Sequence, residues 1–445
     1  MNHKRPAGML ERRFRLSENQ TDVRTELLAG ITTFVTLAYI LFVNPSILKD
    51  AGMPTEATFA ATCIGSAFAT LVMGLYANYP IAVAPGMGLN AFFTYTVVIG
   101  MKLPWQTALG AVFISGVVFF ILTVTKIREW IVDGVPQVLR LAIGVGIGLF
   151  IAFIGLRNAG VIVKNDATLL ALGDMKNTGV LVAIAGLIIT SFFIARQVKG
   201  ALLIGILATT IISILAGVSP APSGIGSFVE FGNPLDKLRL TAFHLDIRGA
   251  LNVGLIPILF SFTFVDLFDN IGTLVGVARK AGLLNERGQL PRIGKALFAD
   301  SLGTMFGALM GTSTVTSYIE SAAGVSEGGR TGLTAVIVGI LFIVAIVFAP
   351  MVGLIPGQAT APALIIVGAF MMVDLVHIKF DDFTEALPAF LTIIMMPLTY
   401  SVAQGLAFGF VSYTIIKLVA GRHQENNTVT YTVTVLFVLH FILGQ

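Results

Sequence analysis

Apolar stretches of membrane-crossing length follow one another from about residue 26 to the C-terminus, separated by short polar breaks. About 20 apolar residues in a helix cross a hydrocarbon core of roughly 30 Å. The pattern predicts spans at 26–46, 57–77, 81–99, 105–126, 136–156, 178–195 and 200–217. After a polar connection at 218–249, which carries Pro220, Pro222 and Pro234, it predicts seven more at 251–277, 295–311, 313–324, 331–350, 360–376, 384–400 and 404–420. A final apolar run at about 429–443 fits an extra span, an interfacial helix or a subunit interface. Regular short-strand alternation is absent, which argues against a barrel.

Seven spans on either side of the connection suggest an internal repeat. An odd number per half sets the two copies in opposite orientations. Residues 139–155 (LRLAIGVGIGLFIAFIG) resemble 362–373 (PALIIVGAFMMV). The third and tenth spans are the two that look broken, with Gly, Ser, Thr and other polar residues where continuous apolar helix is expected. Paired interruptions at corresponding positions point to a transporter's binding site.

Charge orients the bundle. With the N-terminus in the cytoplasm, 20 of the 28 lysines and arginines fall on that side, including Lys4, Arg5, Lys126, Arg128 and Arg287. The other eight are Lys49, Lys102, Arg157, Lys164, Lys176, Lys237, Arg239 and Arg248. Such a bias marks the cytoplasmic face. Composition agrees with a membrane chain: 56% hydrophobic, 12% charged, about half the charge of a soluble domain. The single cysteine, Cys63, rules out an internal disulfide and any multi-cysteine metal site. The net charge of +4 reflects loop residues rather than nucleic-acid binding. No stretch reads as a cleavable signal or as an appended soluble domain.

The candidate chemistry lies in three spans. In the third, Pro85 removes a backbone donor and Gly86 and Gly88 weaken the helix just before Asn90. Backbone freed at membrane depth needs protein partners or a wet cavity. In the eighth, Asp266 and Asp269 stand three apart on one helical face, with Thr273 a turn beyond Asp269. Acids at that depth face the bundle interior or a hydrated path, or join a buried network between helices. In the tenth, six of the eight residues 311–318 are Gly, Ser or Thr, and Glu320 follows them. An extended run opening a short helix is expected there. Asp300, in the ninth span, reads as a hydrogen-bond hub or a proton carrier. Two carboxylates, an amide and several hydroxyls suit a neutral ligand rich in N–H donors, or a cation, and repel an anion. Phe92, Phe93 and Tyr318 offer stacking surfaces for a planar ring.

Four segments carry a resemblance: GITTFVTLAYILFVNP (30–45), APGMGLNAFF (84–93), FVDLFDNIGTLVGVARKAGL (264–283) and GTSTVTSYIESAAGVSEGGRTGLTAV (311–336). They resemble the AzgA-type purine permeases, nucleobase:cation symporters related to the uracil and xanthine/uric acid permeases. The resemblance implies an all-α polytopic membrane protein with 14 transmembrane segments in two inverted seven-helix repeats. It implies a cytoplasmic tail at 1–25, a first repeat at 26–217, an extracytoplasmic connection at 218–249 and a second repeat at 250–422. The segment 423–445 has no counterpart in that plan. Spans 1–4 and 8–11 would form a core domain and spans 5–7 and 12–14 a gate domain, with the third and tenth spans each a short strand and a half-helix.

The resemblance also implies a transporter rather than an enzyme, sited in the cell (inner or plasma) membrane. It would be a homodimer in lipid importing adenine, guanine or hypoxanthine by proton symport with an elevator-like movement. No cofactor beyond the coupling proton is implied, nor a metal or a nucleic-acid partner. Substrate binding falls to Asn90, Asp266, Asp269, Thr273 and Glu320, with Asp269, Asp300 and Glu320 as proton-coupling candidates. The alternatives are another nucleobase such as uracil or xanthine, an anion, a channel, or a membrane enzyme. The last would need a nucleophile–base pair or a ligand cluster that the sequence does not display.

Overall fold

The computed structural model describes residues 8–125, 134–230, 235–252, 256–286 and 289–443. Among the expectations above, Lys4, Arg5, Lys126, Arg128, Arg287, Pro234 and parts of the spans at 105–126 and 251–277 lie outside these residues.

The first half runs α1 (Val23–Asp50), α2 (Thr55–Ala77), β1 (Val83–Pro85), α3 (Met87–Gly100), α4 (Trp105–Thr125) and α5 (Gln137–Asn158). A hairpin, β2 (Ile162–Asn165) and β3 (Leu169–Leu172), leads to α6 (Thr178–Ala195) and α7 (Ala201–Leu215). The second half runs α8 (Ile256–Lys280), α9 (Ile293–Met310), β4 (Val315–Ser317), α10 (Ser321–Ser326), α11 (Gly332–Gly353), α12 (Gly357–His377), α13 (Phe383–Thr399) and α14 (Val402–Val419). The last helix is α15 (Thr428–Leu443). Among the described residues, nine helices are long and apolar enough to cross a membrane. Others, such as α3, α7 and α13, are apolar but shorter.

Packing repeats itself when each helix number is advanced by seven. The α2–α11 contact becomes α9–α4, and α5–α13 becomes α12–α6. At the middle of this relation α5 crosses α12 through Gly148 and Gly368. A Cβ on either would come within 2.7 Å of the other's carbonyl oxygen. Small residues let two backbones approach in a bundle that lacks a hydrophobic drive between helices. Helices α1–α4 pack mainly with α8–α11, and α5–α7 mainly with α12–α14.

The two groups meet at one end through aromatic and charged side chains. Within the first group, the Tyr95 hydroxyl of α3 donates to Asp50 of α1 at 2.7 Å. The Arg157 guanidinium lies over the rings of Tyr95 and Tyr400, at 5.9 and 5.6 Å. At the other end Glu26, fully buried, accepts the N–H groups of Arg330, Thr331 and Thr334 at 2.9, 3.1 and 3.0 Å. It thereby caps the orphan donors that begin α11.

One feature is unforeseen, and one placement is left open by the sequence. The β2–β3 hairpin turns on Asn165, whose Oδ1 accepts from the N–H groups of Ala167 and Thr168. This is a local side-chain turn that hydropathy does not register. The run at 429–443 is a helix packed on α14 and α8. Thr434 bonds Thr414 at 2.7 Å, and the Phe437 ring lies 5.4 Å from Phe260 and 6.3 Å from Phe410.

Candidate substrate site between the two broken spans

The third and tenth spans are both broken, and their strands pair with each other. β1 and β4 run antiparallel with Val83 opposite Ser317, Ala84 opposite Thr316 and Pro85 opposite Val315. The ladder is extended by Gly86 N–H to Thr314 O at 3.0 Å and Tyr318 N–H to Ala82 O at 2.9 Å. Neighbouring helices bond further groups of the strand backbone. Thr70 of α2 donates to Val83 O at 2.9 Å and accepts its N–H at 3.0 Å. Thr304 of α9 donates to Val315 O at 2.9 Å. Extended backbone at this depth is tolerated because protein groups take the place of water.

The expected ligand-binding side chains gather around this ladder unequally. Asn90, on the first turns of α3, is fully buried, accepts a hydrogen bond from Ser313, and keeps a buried Nδ2 without a partner. Asp269 of α8 is half-buried and accepts from Thr316 of β4 at 3.4 Å. Glu320 is the residue just before α10, is half-buried, and accepts from the Tyr39 hydroxyl at 2.6 Å. Asp269 and Glu320 lie within electrostatic reach of each other. Thr273 is half-buried a turn beyond Asp269. Gly272 and Gly276 share that strip of α8, and both are exposed. A Cβ on Gly272 would meet open space, and one on Gly276 only the Ile319 tip at 3.5 Å. This strip of α8, next to Asp269, is therefore left uncovered.

Asp266 is drawn elsewhere. Its Oδ1 accepts from Asn270 Nδ2 at 2.8 Å, and the same nitrogen donates to Asp300 Oδ2 at 2.7 Å. Asn270 Oδ1 accepts the Ser317 N–H of β4 at 2.8 Å. Asp266 and Asp300 thus form a buried network between α8 and α9, joined to the strand pair by one amide. The candidate stacking rings are engaged in packing: Phe93 is fully buried, Phe92 meets Phe262 at 4.8 Å, and the Tyr318 hydroxyl donates to Pro85 O at 2.5 Å. Tyr39, Asn270 and Ser313 escaped sequence reasoning, although each lies inside a segment quoted above. Spacing along the chain says nothing of a partner 281 residues away. A surface cavity of about 470 Å³ beside Pro54, Glu56 and Lys237 shares no residue with the broken spans.

Residues 24–408 match the Permease family (Xan_ur_permease). The chain belongs to that family. This permease is 53% identical to the putative permease MJ0326 of Methanocaldococcus jannaschii over 97% of its own chain and 98% of that protein. It is 45% identical to adenine permease AdeP of Escherichia coli (98% and 96%) and 45% identical to guanine/hypoxanthine permease PbuG of Bacillus subtilis (96% and 98%). The purine permeases resembled by its four segments are thus its relatives over the whole chain. Among solved structures it resembles the transmembrane domain of the cyanobacterial bicarbonate transporter BicA, with TM-score 0.63 at 15% identity, covering 86% of the permease and 97% of that chain. SLC26A9 matches with TM-score 0.65 at 10% identity, covering 93% and 67%. The permease is a multi-pass membrane transporter with the fold of two inverted seven-helix repeats.

Proposed function

We propose that this permease imports purine nucleobases, adenine, guanine or hypoxanthine, by proton symport. The observation that carries the proposal is the meeting of Asp269, Glu320 and the unpaired Asn90 amide around one strand pair, in a chain whose relatives include adenine and guanine/hypoxanthine permeases. Carboxylate oxygens accept the N–H groups of a purine, and Asn90 Nδ2 donates to a ring acceptor. The acids disfavour an anion, although the structural relatives include a bicarbonate transporter.

In this proposal Asp269 and Glu320 hold the base and Thr273 lines its path. Asp266 and Asp300, bridged by Asn270, stand behind the strand pair, where a coupling proton on either acid alters the bonds that hold β4. The α1–α4 and α8–α11 group moves as a core against the α5–α7 and α12–α14 gate, in a homodimer of the inner or plasma membrane with its N-terminus cytoplasmic.

Purified protein in lipid vesicles tests this directly. Labelled adenine and hypoxanthine should accumulate under a pH gradient, acidic outside. Accumulation of equal extent after the gradient is collapsed overturns the coupling. Failure of every unlabelled purine to compete overturns the substrate class.

A further inference from the structure

Tyr39 stands where α1 tightens, in the turn before Pro45. Phe42 N–H reaches back to Tyr39 O at 3.1 Å, a three-residue step in place of four. Pro45 lacks a donor, and its ring crowds the carbonyl one turn earlier. The tightening coincides with the only tyrosine of α1 turned onto the candidate site. Its ring is buried, 1% exposed, and its hydroxyl donates to Glu320 Oε1 at 2.6 Å. Among the described residues this is the one hydrogen bond that the Glu320 carboxylate receives from another side chain; its own backbone N–H supplies a second. Glu320 itself is only half-buried, and without this bond no side chain of another described residue fixes its carboxylate.

We propose that Tyr39 is a positioning residue: its hydroxyl holds Glu320 Oε1 and thereby fixes how the carboxylate faces the ligand. Tyr39 has this role only if Glu320 touches the ligand, as proposed above. Its hydroxyl proton is already given to Glu320, so it acts through the acid. A phenol O–H on a carboxylate is a short, charge-assisted bond, and α1 packs directly on α10. The pair would therefore travel together in any movement of that group. A held carboxylate binds its ligand without first losing rotational freedom, which raises affinity and leaves turnover alone.

Tyr39→Phe removes the hydroxyl alone. In vesicles, normalised to reconstituted protein, it should raise the KM for the transported base about tenfold and leave Vmax within about twofold. Replacing Tyr39 with 4-aminophenylalanine, which restores a donor on the same ring, should return KM to within about threefold of the starting protein. If Tyr39→Phe does not reach the membrane, 4-fluorophenylalanine at 39 supplies a ring of nearly the same shape without a donor. An unchanged KM in the donor-less protein, or a fall in Vmax alone, overturns the proposal. So does a donor-bearing ring that fails to restore KM. These outcomes differ from failure of the purine assignment, in which the unaltered protein itself takes up no purine.

Discussion

The two broken spans have the same backbone and opposite chemistry. β1–α3 and β4–α10 are each a three-residue strand followed by helix, and each strand takes a hydroxyl bond from the second helix of its own half, Thr70 or Thr304. Residues 78–101 contain no Asp, Glu, Lys or Arg, and the only amide past the break is Asn90. Its half-helix is pressed against α5, where a Cβ on Gly88 would stand 2.4 Å from Ile147 Cγ2. β4 leads instead to Glu320, which is half exposed and held by a tyrosine from α1. Repetition supplied a crossing of two strands. One copy alone carries the charge.

The largest effect is expected where this chemistry is removed. Glu320→Gln should lower uptake by at least about a hundredfold while the protein stays in the membrane, because a neutral amide presents a donor to a ligand donor. Normal uptake by that variant would mean that the charged copy is not the binding copy. Asn90→Ala, on the neutral copy, should raise KM by about tenfold with a smaller change in Vmax. If it matched Glu320→Gln, the two spans would contribute equally and the contrast would fail.

Smaller effects should expose the shared backbone. Gly86→Ala places a Cβ 2.4 Å from Thr316 Cγ2, across the strand pair. It should reduce uptake several-fold, and Thr316→Ser, which deletes that methyl, should recover most of it. Without recovery, strand crowding is not the cause. The smallest effects test the repeat itself by thermal unfolding in detergent. Thr70→Val orphans both the N–H and the C=O of Val83 and should cost about 2 kcal/mol, whereas Thr304→Val orphans one carbonyl and should cost about 1 kcal/mol. Equal shifts would show that the second bond of Thr70 contributes nothing.

What the chain spelled out by itself is what local pattern can carry. Apolar length against bilayer thickness marked the spans, because every unpaired peptide group in hydrocarbon must be avoided. Pro85, Gly86 and the hydroxyl-rich run 311–318 marked the two breaks, because each weakens helix where it stands. The candidates Asn90, Asp269, Thr273 and Glu320 were legible for the same reason, as polar groups out of place in an apolar stretch. Pairing was not legible. That Val83 faces Ser317, that Asn270 bridges Asp266 to Asp300, that Tyr39 reaches Glu320, and that α15 lies on α8 and α14 depend on contacts between distant segments. Only folding brings these groups within the few ångströms over which hydrogen bonds and packing act. Two acids three residues apart therefore look alike along the chain, yet Asp269 meets the strand hydroxyl of Thr316 while Asp266 is held by Asn270 of its own helix, whose amide also reaches Asp300 of α9.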